Sequence, residues 1–347
     1  MSAVLWDTRE ALAPEFERRW AARLALCPHA NFMMDLDCLR WDAAQGRHAI
    51  AALIDDGVRR AALVLRRERG GFACGQPWRW QVVLEGADPA RPVGIDAADA
   101  TWAVGEARAI AAPQPVRCYL PVAPADGAPA FAAYTTILHS IAHDDDDLLR
   151  AMHAAKRRMI RRAEREGYTV SEEHTIEQLR AFAVLAREAA TQRGRASEYD
   201  PSVVPEPGQA WREWEQPWMW LLLASKDGRV ASGLGDGRRP GGMLDGRKAA
   251  SAPDARRDGA FALLSFEEAR RGRDRGHRWI NLGGDTVFKR EMSGALGHTV
   301  VMHCWLAGGA AWGLPDRAEA LWRRTRAGAQ RVARRVRDRR AAGGTGA

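Results

Sequence analysis

Residues 256–297 read RRDGAFALLSFEEARRGRDRGHRWINLGGDTVFKREMSGALG, and the fold class is decided in this stretch. Arg256-Arg257-Asp258-Gly259-Ala260 opens a helix over Phe261–Arg275. A glycine at a helix start lets backbone N–H groups approach a pyrophosphate, and flanking arginines add charge. An exposed basic helix cap explains the same residues equally well. A strand follows over Trp279–Leu282, then a Gly283-Gly284 turn, Asp285 and the pair Phe288-Lys289. Helix then strand, punctuated by glycines, is the grammar of a mixed α/β sheet.

Upstream, Leu12, Phe16, Trp20 and Leu24 give helical periodicity over Thr8–Leu26, and Pro28 follows its end. Ala49–Asp55 and Arg59–Leu65 flank Asp56-Gly57 and read as a hairpin. Trp78–Leu84, Cys118–Val122 and Tyr134–Ile141 read as strands, and Ala98–Ala111 as a helix closed by Pro113. The aspartates Asp144–Asp147 sit where a helix begins, facing its orphan N–H groups; that helix is expected over Leu148–Gly167. Ile176–Arg193 is a further helix, Trp218–Ser225 and Arg229–Gly235 a second hairpin, and Thr299–Leu306 a strand. Two mixed regions of similar length, each with a D-G hairpin, imply a duplicated α/β (α+β) architecture. The expected division is 1–138, 139–312 and a basic helical tail, 313–347, whose last residues are disordered.

A chain of 347 residues and 38.3 kDa can bury two cores without disulfide or metal staples. Its five cysteines include no C-x-x-C pair and are odd in number, so they read as small buried apolar residues in a reducing compartment. No apolar run approaches the ~20 residues of a membrane span, and the N-terminus lacks a signal-peptide pattern. A soluble cytoplasmic protein is expected. Ten arginines between Arg317 and Arg340, against Glu319 and Asp338, equal the whole net charge of +8. A second basic knot runs over Lys156–Arg165. Such helices suit a polyanion: phosphate groups, RNA such as tRNA, or an anionic membrane surface, which would place the protein at the inner membrane face. Of 52 basic residues only Lys156, Lys226, Lys248 and Lys289 are lysine, so a retained lysine hints that a compact ammonium is wanted.

No nucleophile elbow, Walker A loop or dinucleotide fingerprint appears. Gly233, Gly235 and Gly237 follow a hairpin strand with no helix after them and fail as a phosphate loop. His139 and His143, spaced i, i+4, suit a metal only on a helix, whereas the segment reads as strand; no metal is expected. Trp211, Trp214, Trp218 and Trp220 could stack bases or sugars, but a core strand is the commoner reason for them.

Three segments taken together resemble one family: Lys156–Gly167, Arg257 through Gly259 and Leu264 to Gly276, and Asn281–Gly284 with Phe288-Lys289-Arg290, Gly294 and Gly297. They are similar to GNAT-like acyltransferases of the Fem and CelD type. The pattern Arg256-x-x-Gly259-x-Phe261 approximates the family's R-x-x-G-x-G/A loop, with Phe261 where a small residue is usual. The resemblance implies two GNAT-like domains side by side and acyl transfer to an amine, possible without a protein nucleophile. Acyl-CoA is the implied donor, held by Arg256, Arg257 and Gly259; an aminoacyl-tRNA is the alternative. Lys156, Arg158, Arg161 and Arg162 would approach substrate phosphates, and Lys289 would stabilise charge on the reacting carbonyl. Asp285 is the candidate base, with a solvated turn aspartate as the plain alternative. The acceptor would be a small molecule or a cell-envelope precursor. Arg290-Glu291-Met292-Ser293 departs from the family's aromatic-glycine step, which keeps open a third alternative, an inactive RNA- or membrane-binding module.

Overall fold

The computed structural model describes residues 2–68, 70–123, 125, 130–192 and 216–307; the basic tail, Trp211 and Trp214 lie outside them. The first half runs β1 (Ser2–Asp7), α1 (Pro14–Ala25), α2 (Leu36–Ala44), β2 (Ala49–Asp55), β3 (Arg60–Glu68), β4 (Gly71–Cys74), β5 (Val82–Leu84), α3 (Ala97–Ala111), β6 (Val116–Leu120) and β7 (Ala130–Ser140). The second runs α4 (Asp145–Ala151), α5 (Ala154–Arg165), β8 (Thr169–Ser171), α6 (Ile176–Gln192), β9 (Met219–Lys226), β10 (Arg229–Gly237) and β11 (Leu244–Ser251). It continues with α7 (Pro253–Asp258), α8 (Ala260–Asp274), β12 (Trp279–Gly284), α9 (Val287–Ser293) and β13 (Gly297–Ala307).

The strands form one sheet in the order β1-β2-β3-β4-β6-β13-β7-β12-β11-β10-β9-β8, with β5 pairing β3 off this path. Each half builds an antiparallel hairpin and then a parallel pair joined through helix: β4 with β6 through α3, β11 with β12 through α7 and α8. The last strand of each half crosses over. β7 pairs β12, and β13 enters between β6 and β7. The duplication expected from element order is therefore present, and the exchanged strands fuse both halves into one α+β sheet.

Central strands such as β3 and β9 are covered on both faces, so they are buried residue after residue instead of alternating. In β3, Ala62 and Val64 pack beneath α1 and α2, whereas Leu63 and Leu65 pack beneath α3. In β9, Trp220, Leu222 and Ala224 meet α5 and α8, whereas Leu221 and Leu223 meet α6. All five cysteines are buried, and none is in a disulfide. Trp218 stacks on Phe32 with ring centroids 5.7 Å apart, and Trp220 is also core, so these two are packing residues. No helix among the described residues is long and apolar enough to cross a membrane.

The expected helix Leu148–Gly167 is two helices. Asp144 caps α4 as anticipated, accepting from the Asp147 amide at 2.8 Å. The chain then breaks at Met152 and His153, whose ring caps α5. Arg157 donates to the Arg150 and Met152 carbonyls at 3.2 and 2.6 Å, and the His153 amide donates to Glu291 of α9 at 2.9 Å. Helical periodicity carries through such a break, because partners distant in sequence hold it. The helix expected from Thr8 begins at Pro14: the Thr8 hydroxyl accepts from Ala49 at 2.9 Å, continuing the β1–β2 edge.

Candidate active site

β11 and β12 are parallel neighbours at only two positions, Leu244 opposite Ile280 and Asp245 opposite Asn281. Beyond them β11 stays with β10, while β12 turns to β7, with Gly284 opposite Thr136. The crevice outside the carboxyl ends of diverging parallel strands is where α/β sheets take ligands. Here it opens into a cavity of about 720 Å³, within the range of small-molecule sites.

Arg256 and Arg257 line its mouth, and Lys289 lines it from α9. Lys289 Nζ donates to the Leu282 carbonyl and, at 2.9 Å, to the Gly284 carbonyl. The Gly283-Gly284 turn thus fixes the ammonium at the end of β12. Thr286 caps α9 by accepting from the Lys289 amide at 3.3 Å. Lys248, a second retained lysine, also lines the cavity. Lys156, a third, stands 4.5 Å above the ring of Phe288, itself a lining residue.

Other expected residues sit elsewhere. Asp285, the candidate base, is outside the cavity lining, and both its oxygens accept from Arg290, at 2.7 and 2.6 Å. Gly259 has φ +92°, and a Cβ there would lie 2.2 Å from the Met159 carbonyl. Its close approach is to α5, and its amide is bonded to the Ala255 and Arg256 carbonyls. Gly259 thus makes a helix-packing contact with α5. Phe261 fills the adjoining space against Phe288, centroids 5.0 Å apart. Lys156 is buried and pairs with Glu291 at 3.2 Å, and Arg162 pairs with Asp258 at 2.9 Å. Arg158 and Arg161 face solvent, and none of these four lines the cavity. The altered segment after Lys289 is structural: Glu291 holds α5, Met292 is core, and Gly294 passes so close to the Ala151 carbonyl that no side chain fits.

Three acids escaped the sequence reading: Asp236 of β10, Asp245 of β11 and Glu268 of α8, each at most 2% exposed. Asp245 lies 3.4 Å from Arg79 and accepts from Asn281 at 3.1 Å, yet burial pushes its carboxyl up to about 6. Asn281 also donates to the Trp78 carbonyl at 2.6 Å and accepts from Thr136 at 2.7 Å, which pins β12 where it departs from β11. His139, whose buried Nε2 finds no partner, lines the cavity; burial pushes it down to about 4, so it is neutral. Among the described residues no group of side chains is arranged to hold a metal. The signal for Asp236 was in Gly233, Gly235 and Gly237, which lie within β10 on either side of it.

No protein-family model and no curated protein matches this chain. Solved structures do match it in shape. The fold is the GNAT-like acyltransferase fold. A crystal structure of FemX matches over 91% of this chain and 100% of its own, with a TM-score of 0.60 at 12% identity. The C-terminal domain of a protein from Agrobacterium fabrum, described as a lysylphosphatidylglycerol synthetase, matches over 87% of this chain and 96% of its own, with a TM-score of 0.50 at 14% identity.

Proposed function

We propose that the protein is an acyltransferase that moves an acyl group from acyl-CoA to an amine in the cavity between β11 and β12. The observation that carries this reading is the meeting of Lys289, Arg256 and Arg257 around one space at the split of two parallel strands. The fold supports it, as does the resemblance in the segments around Gly259 and Lys289. An amine attacking a thioester creates an oxyanion, and a cation already fixed in a shielded site stabilises that charge without reorganising. Lys289 is such a cation, anchored by two carbonyls. Arg256 and Arg257 suit the phosphates of the donor. The acceptor would be a small molecule or a cell-envelope precursor, met in the cytoplasm or at the inner membrane face.

An aminoacyl-tRNA donor is a second reading, favoured by one observation. The engaged Gly259 amide and the bulk of Phe261 leave the donor loop offering guanidinium groups more than a backbone cradle. Calorimetry with acetyl-CoA separates the two. Micromolar binding that weakens about tenfold or more in Arg256→Ala/Arg257→Ala supports the first reading. Absence of acetyl-CoA binding, together with retention of charged tRNA on the same protein, overturns it in favour of the second.

A further inference from the structure

We propose that Asp236 and Glu268 share one proton at the floor of the cavity, and that Glu268 is the base that takes the proton of the acceptor amine. This rests on the acyl-transfer reading. Three structural observations converge on it.

The first is how Asp236 is aimed. β10 and β11 slip register between Gly235 and Asp236, so that Gly235 faces Lys248 while Asp236 faces Gly246. The extra residue is Arg247 of β11, which lines the cavity, and bulges gather beside active sites. Gly246, which lines the cavity, stands opposite Asp236, and a Cβ there would be in ordinary contact with Asp236 Oδ1 at 3.8 Å. The second is Glu268, on the inward stripe Leu264–Glu268–Gly272 of α8; it is 2% exposed and lines the cavity. The third is what the two acids find. Their carboxyl groups lie within hydrogen-bond reach of each other. Among the described residues no N–H or O–H reaches either oxygen of Asp236 or Oε1 of Glu268.

Two buried carboxylates facing each other without donors would be strongly repulsive; one shared proton turns the same geometry into a short, charge-assisted bond. Burial raises both groups above the ordinary carboxylate range, with Asp245 adding to the rise at Asp236 and Asp236 to that at Glu268; the contact with Glu268 and the charge of Arg79 draw Asp236 back, and Lys289 draws Glu268 back. The charges then balance locally. Asp245 answers Arg79, and the singly protonated pair answers Lys289. His139 lines the cavity as well, but the charges acting on it come from His143 and His298, away from Lys289.

In the reaction, the amine nitrogen forms a bond to the thioester carbon as the carbonyl electrons move onto oxygen. The nitrogen is then cationic, and its proton passes to the pair, which becomes neutral. The carbonyl re-forms, the C–S bond breaks, and the thiolate takes that proton from the pair as it leaves. Protons and electrons balance with no other reactant.

The test uses the full chain, first by infrared spectroscopy without substrate. Wild type at neutral pH should show a protonated-carboxyl stretch that disappears on raising the pH and is changed in both Glu268→Gln and Asp236→Asn. Absence of that band overturns the shared proton. The second arm is transfer from acetyl-CoA to a mixture of primary amines, followed by mass spectrometry. Glu268→Gln should lose about 10²–10⁴ in rate, together with the acidic limb of the pH profile. An unchanged rate and profile overturns Glu268 as the base. If wild type shows the band but acetylates none of these amines, the acetyl-transfer reading fails and Glu268 falls as its base, while the shared proton stands.

Discussion

The sheet contains the same unit twice, a parallel pair of strands joined through helix, and the two copies end differently. β4 and β6 stay paired through Phe72, Ala73 and Cys74, opposite Val116, Arg117 and Cys118. The chain then turns back across their carboxyl ends: the Gly75 amide donates to the Gln81 side chain at 3.2 Å, and Trp80 and Gln81 are buried. In the second copy β11 and β12 part after two pairs, and the space between them is the cavity. One unit closes over its own crevice and the other leaves it open. The segment that closes the first also braces the strands of the second, since Arg79 meets Asp245 of β11 and the Trp78 carbonyl accepts from Asn281 of β12. The lesson is that a duplicated fold can divide labour, with one copy serving as scaffold for the chemistry of the other.

The sharpest break of that comparison is Trp80→Ala. Truncating a tryptophan that is 1% exposed in the closed copy should destabilise the protein by about 3–5 kcal/mol, read as a lower denaturation midpoint at constant slope. A loss under about 1 kcal/mol would mean the first crevice is not packed by this residue. Lys289→Ala in the open copy should do the reverse. Turnover should fall by about 10²–10³ while thermal stability stays within a few degrees of wild type. Lys289→Arg should not restore it, because a planar fork cannot occupy the place of an ammonium held between the Leu282 and Gly284 carbonyls. Full turnover in either folded variant removes Lys289 from the mechanism.

A smaller effect appears in stability against pH. Carboxyls raised in the folded state contribute stability that is present below their unfolded values, near 4, and lost as pH climbs through the folded ones. Asp245, pushed up to about 6, and the Asp236–Glu268 pair act in that sense. His139, pushed down to about 4, acts oppositely, losing stability as pH falls from the ordinary histidine value towards 4. The opposing slopes cancel in the difference between wild type and Glu268→Gln, whose amide cannot ionise. Chemical denaturation should show the variant gaining on wild type as pH rises above 6. A difference that is flat from pH 5 to 9 would contradict a raised carboxyl pair.

How much of this was legible depends on how local each signal is. Hairpins, helices and their caps rest on neighbours in sequence, and the D-G turns and Asp144 announced them. Lys289 was also readable, because a lysine retained among so many arginines is a compositional signal. The strand exchange of β7 and β13 is set by partners more than a hundred residues away, and the break at Met152–His153 is held in part by one, Glu291. The acid cluster is gathered over a shorter span of chain, but it too depends on packing between elements. Asp236, Asp245 and Glu268 come from three separate elements, and only the sheet brings them together. Even Asp236, flanked by glycines that drew attention as a failed phosphate loop, could not be recognised as a buried acid from its own segment.

The smallest expected effect separates the donors. Arg158 and Arg161 are among the exposed members of the basic knot on α5, while Lys156 and Arg162 pair with Glu291 and Asp258. Neither Arg158 nor Arg161 lines the cavity, so a donor the size of acetyl-CoA should barely notice them. The double substitution Arg158→Ala/Arg161→Ala should change acetyl-CoA affinity by less than about 0.5 kcal/mol, the usual scale for surface changes. A tRNA donor would extend far beyond the cavity and across such a surface. Each phosphate contact removed would then lower the slope of log affinity against log salt by about 0.7–0.9. Equal acetyl-CoA affinity with an unchanged tRNA salt slope makes α5 a structural helix whose buried face alone matters. A shallower salt slope makes its outer face part of the donor site, and the open copy then reaches past its own cavity for the substrate.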